Sequence, residues 1–349
     1  MLALAAAKLG FRCHIYSDAA TSPAAEVSST STVGAYDDYG KLSEFAREVD
    51  VVTYEFENVP VATATHLADS RPVFPPPKAL DIAQDRLHEK QFIADLGIAV
   101  APFAAVDDLA GLEHAVSQIG TPAILKTRRL GYDGKGQARL RCRSDIGEAY
   151  GAMHGAPAIL EGHVTFDREI SVLLVRGPAP DGSGSIVDLA YDAPVNTHKN
   201  GILDRSVVPA PLSDSDNERA LAIAARIADA LEYRGVLAVE MFHIQGSAAA
   251  EGELIVNEIA PRVHNSGHWT MDACLVDQFE NHIRAVAGWP LGTTARHSDA
   301  EMINLIGADA AAWQKQLGQG HASLHLYGKN DARPGRKMGH VNRIRPKSS

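Results

Sequence analysis

Apolar positions along the 349-residue chain recur with two periods, one near 3.6 residues and one near 2, and the two alternate down its length. Residues 1–9 are rich in Ala and Leu and predict a helix that stops at Gly10. Short apolar runs at 12–16, 49–54 and 72–77 read as strands, with helical periodicity at 39–49 and 61–68 between them. Strands alternating with helices over short links predict a parallel α/β sheet. An amphipathic helix follows at 85–97, then strands at 123–126, 158–164 and 169–175, the last apolar on both faces and so buried. Residues 215–231 form a strong helical pattern that opens with Ser215 and Glu218 in capping-box spacing. The remaining pattern predicts strands at 236–244 and 253–260, a helix at 274–286, and strands at 301–305 and 323–327.

The stretch 253–270, ELIVNEIAPRVHNSGHWT, is a strand running into a polar loop, and Pro261 ends it because it has no N–H for a ladder. The small, polar residues 245–252 join it to the strand 236–244 as a hairpin. With the turn centred near residue 249, Glu240 faces Glu258 across the pair. Directly opposed residues hold their Cβ atoms about 4.5–5.5 Å apart. Two sheltered carboxylates that close do not both ionise cheaply without a cation between them. One reading is a magnesium site of hard oxygen ligands, and the other is a solvated hairpin face.

Composition narrows the class. With 45% hydrophobic and 22% charged residues the chain is an ordinary globular protein, long enough for two or three domains. A net charge of −10 argues against a general nucleic-acid binder, and no apolar run approaches a membrane span. Cys13, Cys142 and Cys274 are scattered, odd in number and without metal spacing, which suits a reducing cytoplasm.

Other segments carry candidate chemistry. Glu55, Glu57 and Asn58 follow the strand at 49–54, where open α/β sheets bind ligands, although such a loop also caps a following helix. After the strand at 123–126 comes TRRLGYDGKGQARL, in which Asp133-Gly134 is a hairpin signal. Its glycines, with Lys126 and Lys135, suit the approach of a phosphate, or make an ordinary mobile hairpin. His198 sits in NTHKNGIL, a polar stretch before a strand. Lys329, Arg333, Arg336 and Lys337 cluster at a Pro-Gly turn and suit a phosphate dianion or a solvated loop. His264, His268 and Asp272 have the spacing of a zinc helix, but Pro261 and Gly267 break the run and no glutamate separates the histidines.

In order along the chain stand GYDGKGQ, LEGHV, FDREISV, HKNGIL, VEMF, NEIAPRVHNSGHWT and RPGRKMGHV. Together they resemble the N5-carboxyaminoimidazole ribonucleotide synthetases, ATP-grasp enzymes of purine biosynthesis, over essentially the whole chain. The resemblance implies a mixed α/β and α+β architecture. An N-terminal doubly wound domain (residues 1–85) lacks its first strand, an ATP-grasp domain (86–285) carries a lid at about 120–165, and a small β-rich domain (286–349) completes the substrate site. It implies a cytoplasmic, homodimeric ligase that carboxylates 5-aminoimidazole ribonucleotide with bicarbonate and ATP, through carboxyphosphate, with no nucleic-acid or membrane partner.

Carried over to this sequence, the resemblance implies that Arg86 and Lys126 contact ATP and that Gly131, Tyr132, Asp133, Gly134, Lys135, Gly136 and Gln137 close over its phosphates. Glu161, Gly162, His163 and Val164 would form the adenine hinge, with Glu169 at the ribose and His198, Asn257 and Glu258 completing the pocket. Glu240 and Glu258 would ligate magnesium, or manganese in its place. Glu57, Arg262, His264, Asn265, Lys329 and Arg336 would bind the ribonucleotide or bicarbonate, with Tyr132 and Asp133, and Arg262, Lys126, Tyr132 and Asp133 would serve the chemistry. Arg128-Arg129-Leu130 departs from the family's smaller residues before GYDGKGQ and puts lid closure in question. Two rivals are another ATP-grasp carboxylate–amine ligase and an inactive nucleotide-binding protein. Doubly wound domains open with a strand and a glycine-rich turn, whereas this chain opens in a helix, so Met1 is expected to be an internal methionine of a longer protein.

Overall fold

The computed structural model describes residues 1–131, 135–246, 252–318 and 320–348. The first helix, Leu2–Lys8, lays Leu2 and Ala6 against Phe279 and Ile283 of helix Gln278–Ala287. Strand β1 (His14–Ser17) pairs in parallel with β2 (Thr30–Val33), a strand its polar sequence TSTV concealed. The strands expected at 49–54 and 72–77 shrink to one parallel bridge, Val52 to Val73. Pro75, Pro76 and Pro77 offer no N–H to extend that ladder, and helix Pro77–Ala83 starts there instead. Helices Tyr39–Arg47 and Val61–Ala68 pack Leu42, Phe45, Ala64 and Leu67 over Val52 and Val73.

A second, four-stranded sheet holds β3 (Phe103–Val106), β4 (Ala123–Thr127), β5 (Gln137–Leu140) and β6 (Ala158–Gly162) in the order β3-β6-β4-β5, antiparallel throughout. Strands β4 and β5 pair as antiparallel neighbours, and the Asp133-Gly134 turn signal, with Tyr132, lies outside the described residues. Gly136 is required at its base. Its φ is +67°, and an added Cβ would meet Thr127 Oγ1 at 2.5 Å. Helix Leu109–Ile119, which follows β3, buries Leu112, Ala115 and Val116 against Leu125, Leu140 and Leu160.

The third sheet spans the rest of the chain. It contains β7 (Arg168–Pro178), β8 (Ile186–Ala190), β9 (Val195–Lys199), β10 (Ile202–Val208), β11 (Gly235–Ile244), β12 (Glu253–Ala260), β13 (Ser298–Ile306), β14 (Ala322–Leu326) and β15 (Lys337–Pro346). The path is β12-β11-β7-β9-β10-β13-β15-β14, with β8 added at β7. The last three strands therefore continue the central sheet through the β10–β13 pairing. His198 lies within β9, so the polar stretch expected before a strand is itself a strand.

Two helix starts differ from the sequence pattern. Helix Asp214–Ala230 begins earlier, and Ser213 Oγ accepts the Asp216 N–H at 3.0 Å, so Ser213 is the cap and not Ser215. The predicted helix from residue 274 begins only at Gln278, because Asp277 accepts the N–H groups of Phe279 and Glu280 and fixes the start. Helix Arg86–Asp95 is tied to β12 by two buried ionisable groups. Glu89 Oε1 accepts the Ile259 N–H at 2.7 Å, and Lys90 Nζ donates to the Asn257 carbonyl at 2.7 Å. Burial first, and Glu258 beside it second, push the Glu89 carboxyl up to about 8.

Ser213→Ala is expected to lower stability by about 1 kcal/mol in urea denaturation through loss of the cap, and the helix start is expected to fray in hydrogen exchange at the Asp216 amide; an Asp216 amide as protected as in the wild type would refute the cap. Glu89 carries a second prediction. Its folded pKa lies above its unfolded value of 4.5, so between pH 4.5 and about 8 the folded state binds more protons and stability falls as pH rises. Glu89→Gln keeps an acceptor for Ile259 and removes the titration, so the variant gains on the wild type from pH 5 to pH 8. Parallel stability–pH curves for the two would refute this.

Candidate active site

The β11–β12 hairpin pairs Glu240 with Glu258, as the turn position predicts. One step on, Met241 pairs with Val256, so Asn257 is the extra residue of a bulge. Both glutamates line a cavity of about 1000 Å³ whose walls come from the hairpin, β4, β7, β9 and helix Arg86–Asp95.

Each carboxylate has a cationic or basic partner from a different element. Glu240 Oε1 lies 3.0 Å from His264 Nε2, and Glu258 Oε2 accepts from Arg86 Nη1 at 3.1 Å. Burial disfavours the Glu258 charge, but Arg86 and Lys126 outweigh it and hold the carboxyl down at about 2. The side chain keeps 39% of its surface open to the cavity, and solvent there screens some of that effect. Arg86 also donates through Nη2 to the Gly131 carbonyl at 3.1 Å, linking the acidic pair to the root of the β4–β5 hairpin.

Arg262 grips Glu57 bidentately, through Nε to one oxygen and Nη2 to the other at 2.8 Å. Burial opposes the Glu57 charge, yet Arg262 lowers the pKa overall. His198 Nδ1 meets Glu169 Oε2 in a short contact; burial works against the imidazolium, and Glu169 raises the pKa despite it. Behind Lys126, Glu161 is 4% exposed and lies between Lys126 (3.0 Å) and Lys90 (3.5 Å). Burial depresses the Lys90 pKa, with Glu161 opposing the shift.

His264 is held by a buried polar chain. Its Nδ1 lies 2.8 Å from Ser266 Oγ, which meets Ser171 Oγ at 2.7 Å; Asn196 bonds Ser171 at 3.0 Å and Ser206 donates to Asn196 at 2.7 Å. Asn265 exchanges two amide hydrogen bonds with Asn304.

The cavity thus brings together Glu57, Arg86, Lys126, Gly131, Gln137, Glu169, His198, Glu240, Asn257, Glu258, Arg262, His264 and Asn265 from the sequence-derived candidates. Glu161, Gly162, His163 and Val164 do not line it. The Gly162 and His163 N–H groups bond the carbonyls of Pro102 and Pro122 and fix the end of β6. The Gly136 carbonyl accepts the Thr127 N–H at the hairpin base. Of the C-terminal basic cluster it is Lys337 that lines the cavity; Lys329 Nζ donates to the Lys337 carbonyl at 2.9 Å and Arg336 to that of Asp331 at 3.0 Å. His268 and Asp272 face elsewhere, toward Gln278 and toward His325 and Asn342.

The charged helix positions Asp85, Glu89 and Lys90 were missed as site residues; their one signal was charge on the face that periodicity assigned to the core. Arg128 and Arg129 have a role here. Arg128 binds both oxygens of Asp85 at 3.0 and 2.8 Å, Arg129 adds a contact at 3.3 Å, and the Arg86 N–H donates to the Arg128 carbonyl. They bolt the hairpin root to the start of the helix that carries Arg86. Among the described residues no helix is long and apolar enough to cross a membrane, and no three His, Cys, Asp or Glu side chains cluster as a ready metal cage.

The arrangement matches known proteins over its length. Residues 1–84 fit the ribonucleotide synthetase preATP-grasp domain, 91–279 the ATP-grasp domain, and 300–349 the phosphoribosylaminoimidazole carboxylase C-terminal domain. The N5-carboxyaminoimidazole ribonucleotide synthase of Brucella melitensis is 50% identical over all of this chain and 94% of its own, and that of Pseudomonas aeruginosa 44% identical over 98% and 90%. The crystal structure of the Thermus thermophilus N5-carboxyaminoimidazole ribonucleotide synthetase superposes with a TM-score of 0.88 at 44% identity, over 99% of this chain and 90% of that one. An Aspergillus clavatus N5-carboxyaminoimidazole synthase, solved in complex with ADP and 5-aminoimidazole ribonucleotide, gives 0.89 at 28% identity over 99% and 90%. By sequence over its full length, by fold and by domain order, the chain belongs to the N5-carboxyaminoimidazole ribonucleotide synthase family, within the ATP-grasp enzymes.

Proposed function

We infer that the protein carboxylates 5-aminoimidazole ribonucleotide with bicarbonate at the expense of ATP, releasing ADP, phosphate and the N5-carbamate, as a cytoplasmic enzyme of purine synthesis that acts as a homodimer. The observation that carries this reading is the opposed Glu240–Glu258 pair in a cavity that also holds Arg86, Lys126 and Arg262.

Two carboxylates side by side suit magnesium, which takes one or two protein oxygens and completes its shell with substrate phosphates and water. The donors here are hard oxygens and both open onto the cavity, so the residues present fit that ion, or manganese. Bound there, it would neutralise phosphate charge during transfer. Lys126 and Arg86 stand beside the same carboxylates and orient the nucleotide's phosphates, while Asn257 and the His198–Glu169 pair frame its sugar side. Transfer of the γ-phosphoryl group to bicarbonate needs alignment and charge neutralisation more than covalent help. Arg262, pre-oriented by Glu57, supplies a planar donor for the anionic carboxyphosphate. That intermediate hydrolyses readily, so exclusion of water by the β4–β5 hairpin protects it. Its carbon dioxide then meets the ribonucleotide's amine, with the ribonucleotide phosphate drawn to Lys337 and the neighbouring Lys329 and Arg336.

Glu258→Gln removes a charged oxygen ligand without changing shape. Magnesium-dependent ADP formation is expected to fall by at least about 100-fold while circular dichroism and melting stay those of a folded protein. Near-normal turnover at modest magnesium would take Glu258 out of the metal site. Lys337→Ala is expected to weaken ribonucleotide binding about tenfold or more in calorimetry and to leave ATP binding within about twofold. Equal loss of both ligands would contradict the phosphate assignment.

A further inference from the structure

The sheet register sets two anchors side by side for one imidazole. Ser171 of β7 stands directly opposite Glu240 of β11, which stands opposite Glu258 of β12, so the three side chains share one face. His264, from the loop after β12, spans the first two. Its Nε2 lies 3.0 Å from Glu240 Oε1, and its Nδ1 lies 2.8 Å from Ser266 Oγ, which meets Ser171 Oγ at 2.7 Å. The main chain of His264 is clamped as well: Gln278 accepts its N–H through Oε1 at 2.9 Å and donates to its carbonyl through Nε2 at 2.7 Å. Gly267 lets the loop lie this close to β7, since an added Cβ would meet Leu173 Cδ2 at 1.9 Å.

The direction of each hydrogen bond follows from groups whose roles are fixed. A carboxylate only accepts, so His264 Nε2 carries a hydrogen and donates to Glu240. The Ser266 N–H only donates, and it lies 3.4 Å from Nδ1, so Nδ1 is the bare nitrogen. Ser266 Oγ therefore donates to Nδ1 and accepts from Ser171, whose own oxygen accepts the Asn196 amide N–H at 3.0 Å. Ser206 completes the series as donor to Asn196 Oδ1 at 2.7 Å. Every bond thus runs one way, from β10 to Glu240. Ser171, Ser206 and Ser266 are fully buried and Asn196 nearly so, which keeps solvent from competing for their hydrogens.

We propose that Ser206, Asn196, Ser171 and Ser266 form a one-way relay that fixes His264 in the tautomer protonated at Nε2, and that His264 works as a positioning donor to Glu240 and not as a base. The nitrogen turned to Glu240 holds its hydrogen, so it has no lone pair for a substrate proton. By engaging Oε1 it holds the carboxylate in one orientation and leaves Oε2 to serve as the ligand oxygen. This last role rests on the metal reading of the Glu240–Glu258 pair; the tautomer does not. Residues that orient a ligating group commonly set metal affinity by about 10–100-fold.

Protein labelled with nitrogen-15 at histidine, free of metal and nucleotide and at about pH 8, where an ordinary imidazole is neutral, reports the tautomer in its ring-nitrogen resonances. The His264→Ala variant assigns the signal. His264 is expected to show a pyridine-type Nδ1 and a pyrrole-type Nε2. The opposite pattern, or an equal mixture, overturns the proposal whatever the reaction. Manganese binding in the presence of ADP, read by electron paramagnetic resonance, follows the relay's work. Ser171→Ala is expected to weaken it about tenfold, and Ser206→Ala, at the far end, in the same direction by less. In a His264→Ala background Ser171→Ala is expected to change binding by less than about twofold, because its effect passes through the imidazole. With Glu240→Gln itself weakening manganese, equal losses in both backgrounds, or none in either, make Ser171 a packing residue and overturn the relay. Should Glu240→Gln leave manganese binding unchanged, the metal assignment falls and the imidazole spectra decide the relay alone.

Discussion

The opposition of two like charges across one hairpin governs the arrangement of the site. Antiparallel pairing at Glu240 and Glu258 sets both carboxyl groups on one face of the sheet at neighbouring-strand distance. Each carboxylate meets a partner from outside the hairpin: Glu240 meets His264 from the loop after β12, and Glu258 meets Arg86 from the first turn of helix Arg86–Asp95. The bulge next to the pair adds to it. Asn257, the extra residue, presents its carbonyl to the buried Lys90, which fastens the same helix one turn on.

His264 must be held as firmly as the glutamate it meets. The chain Ser206–Asn196–Ser171–Ser266–His264 does this with buried hydroxyl and amide groups drawn from β10, β9, β7 and the loop. Each member of such a chain is satisfied by its neighbours, which avoids the desolvation penalty and fixes one orientation. It also explains why a strand as apolar as β7 tolerates a buried serine at 171.

How much of this was legible in the sequence follows from how local each signal is. The Glu240–Glu258 register could be read because hairpin pairing depends only on the turn and on alternation. The helices at 39–47, 61–68 and 86–95 could be read because their apolar stripes are contained within them. Strand β2 and strand β9 could not, since TSTV and VNTHK become strands by pairing with distant partners and not by apolar content. The proline run after Val73 reads as the end of a strand, although its missing donors forbid one. Arg86, Arg262, His264 and Glu57 stand out in the sequence, but the pairing of Glu57 with Arg262 spans 205 positions, and no spacing rule reaches that far. Asp85, Glu89 and Lys90 escape because a charge on the inner face of a helix is their one mark, and it does not show what the charge pairs with until the partners are known.

Glu89 and Glu258 show how finely the charge is distributed. Both carboxyls belong to one small neighbourhood, yet one is driven up to about 8 and the other down to about 2. Cation supply decides which way each goes. Arg86 bonds Glu258 directly, and Lys126 lies close enough to add to it, whereas Glu89 is sealed in the interface with β12 and feels Glu258 as a like charge. Environments that push a pair of neighbouring carboxyls this far apart in pKa assign them different work. Glu89, kept neutral, serves as an acceptor for the Ile259 N–H and secures the strand. Glu258, kept ionised and open to the cavity, retains the charge that phosphate chemistry draws on, and the structural bond at Ile259 is what aims its strand there.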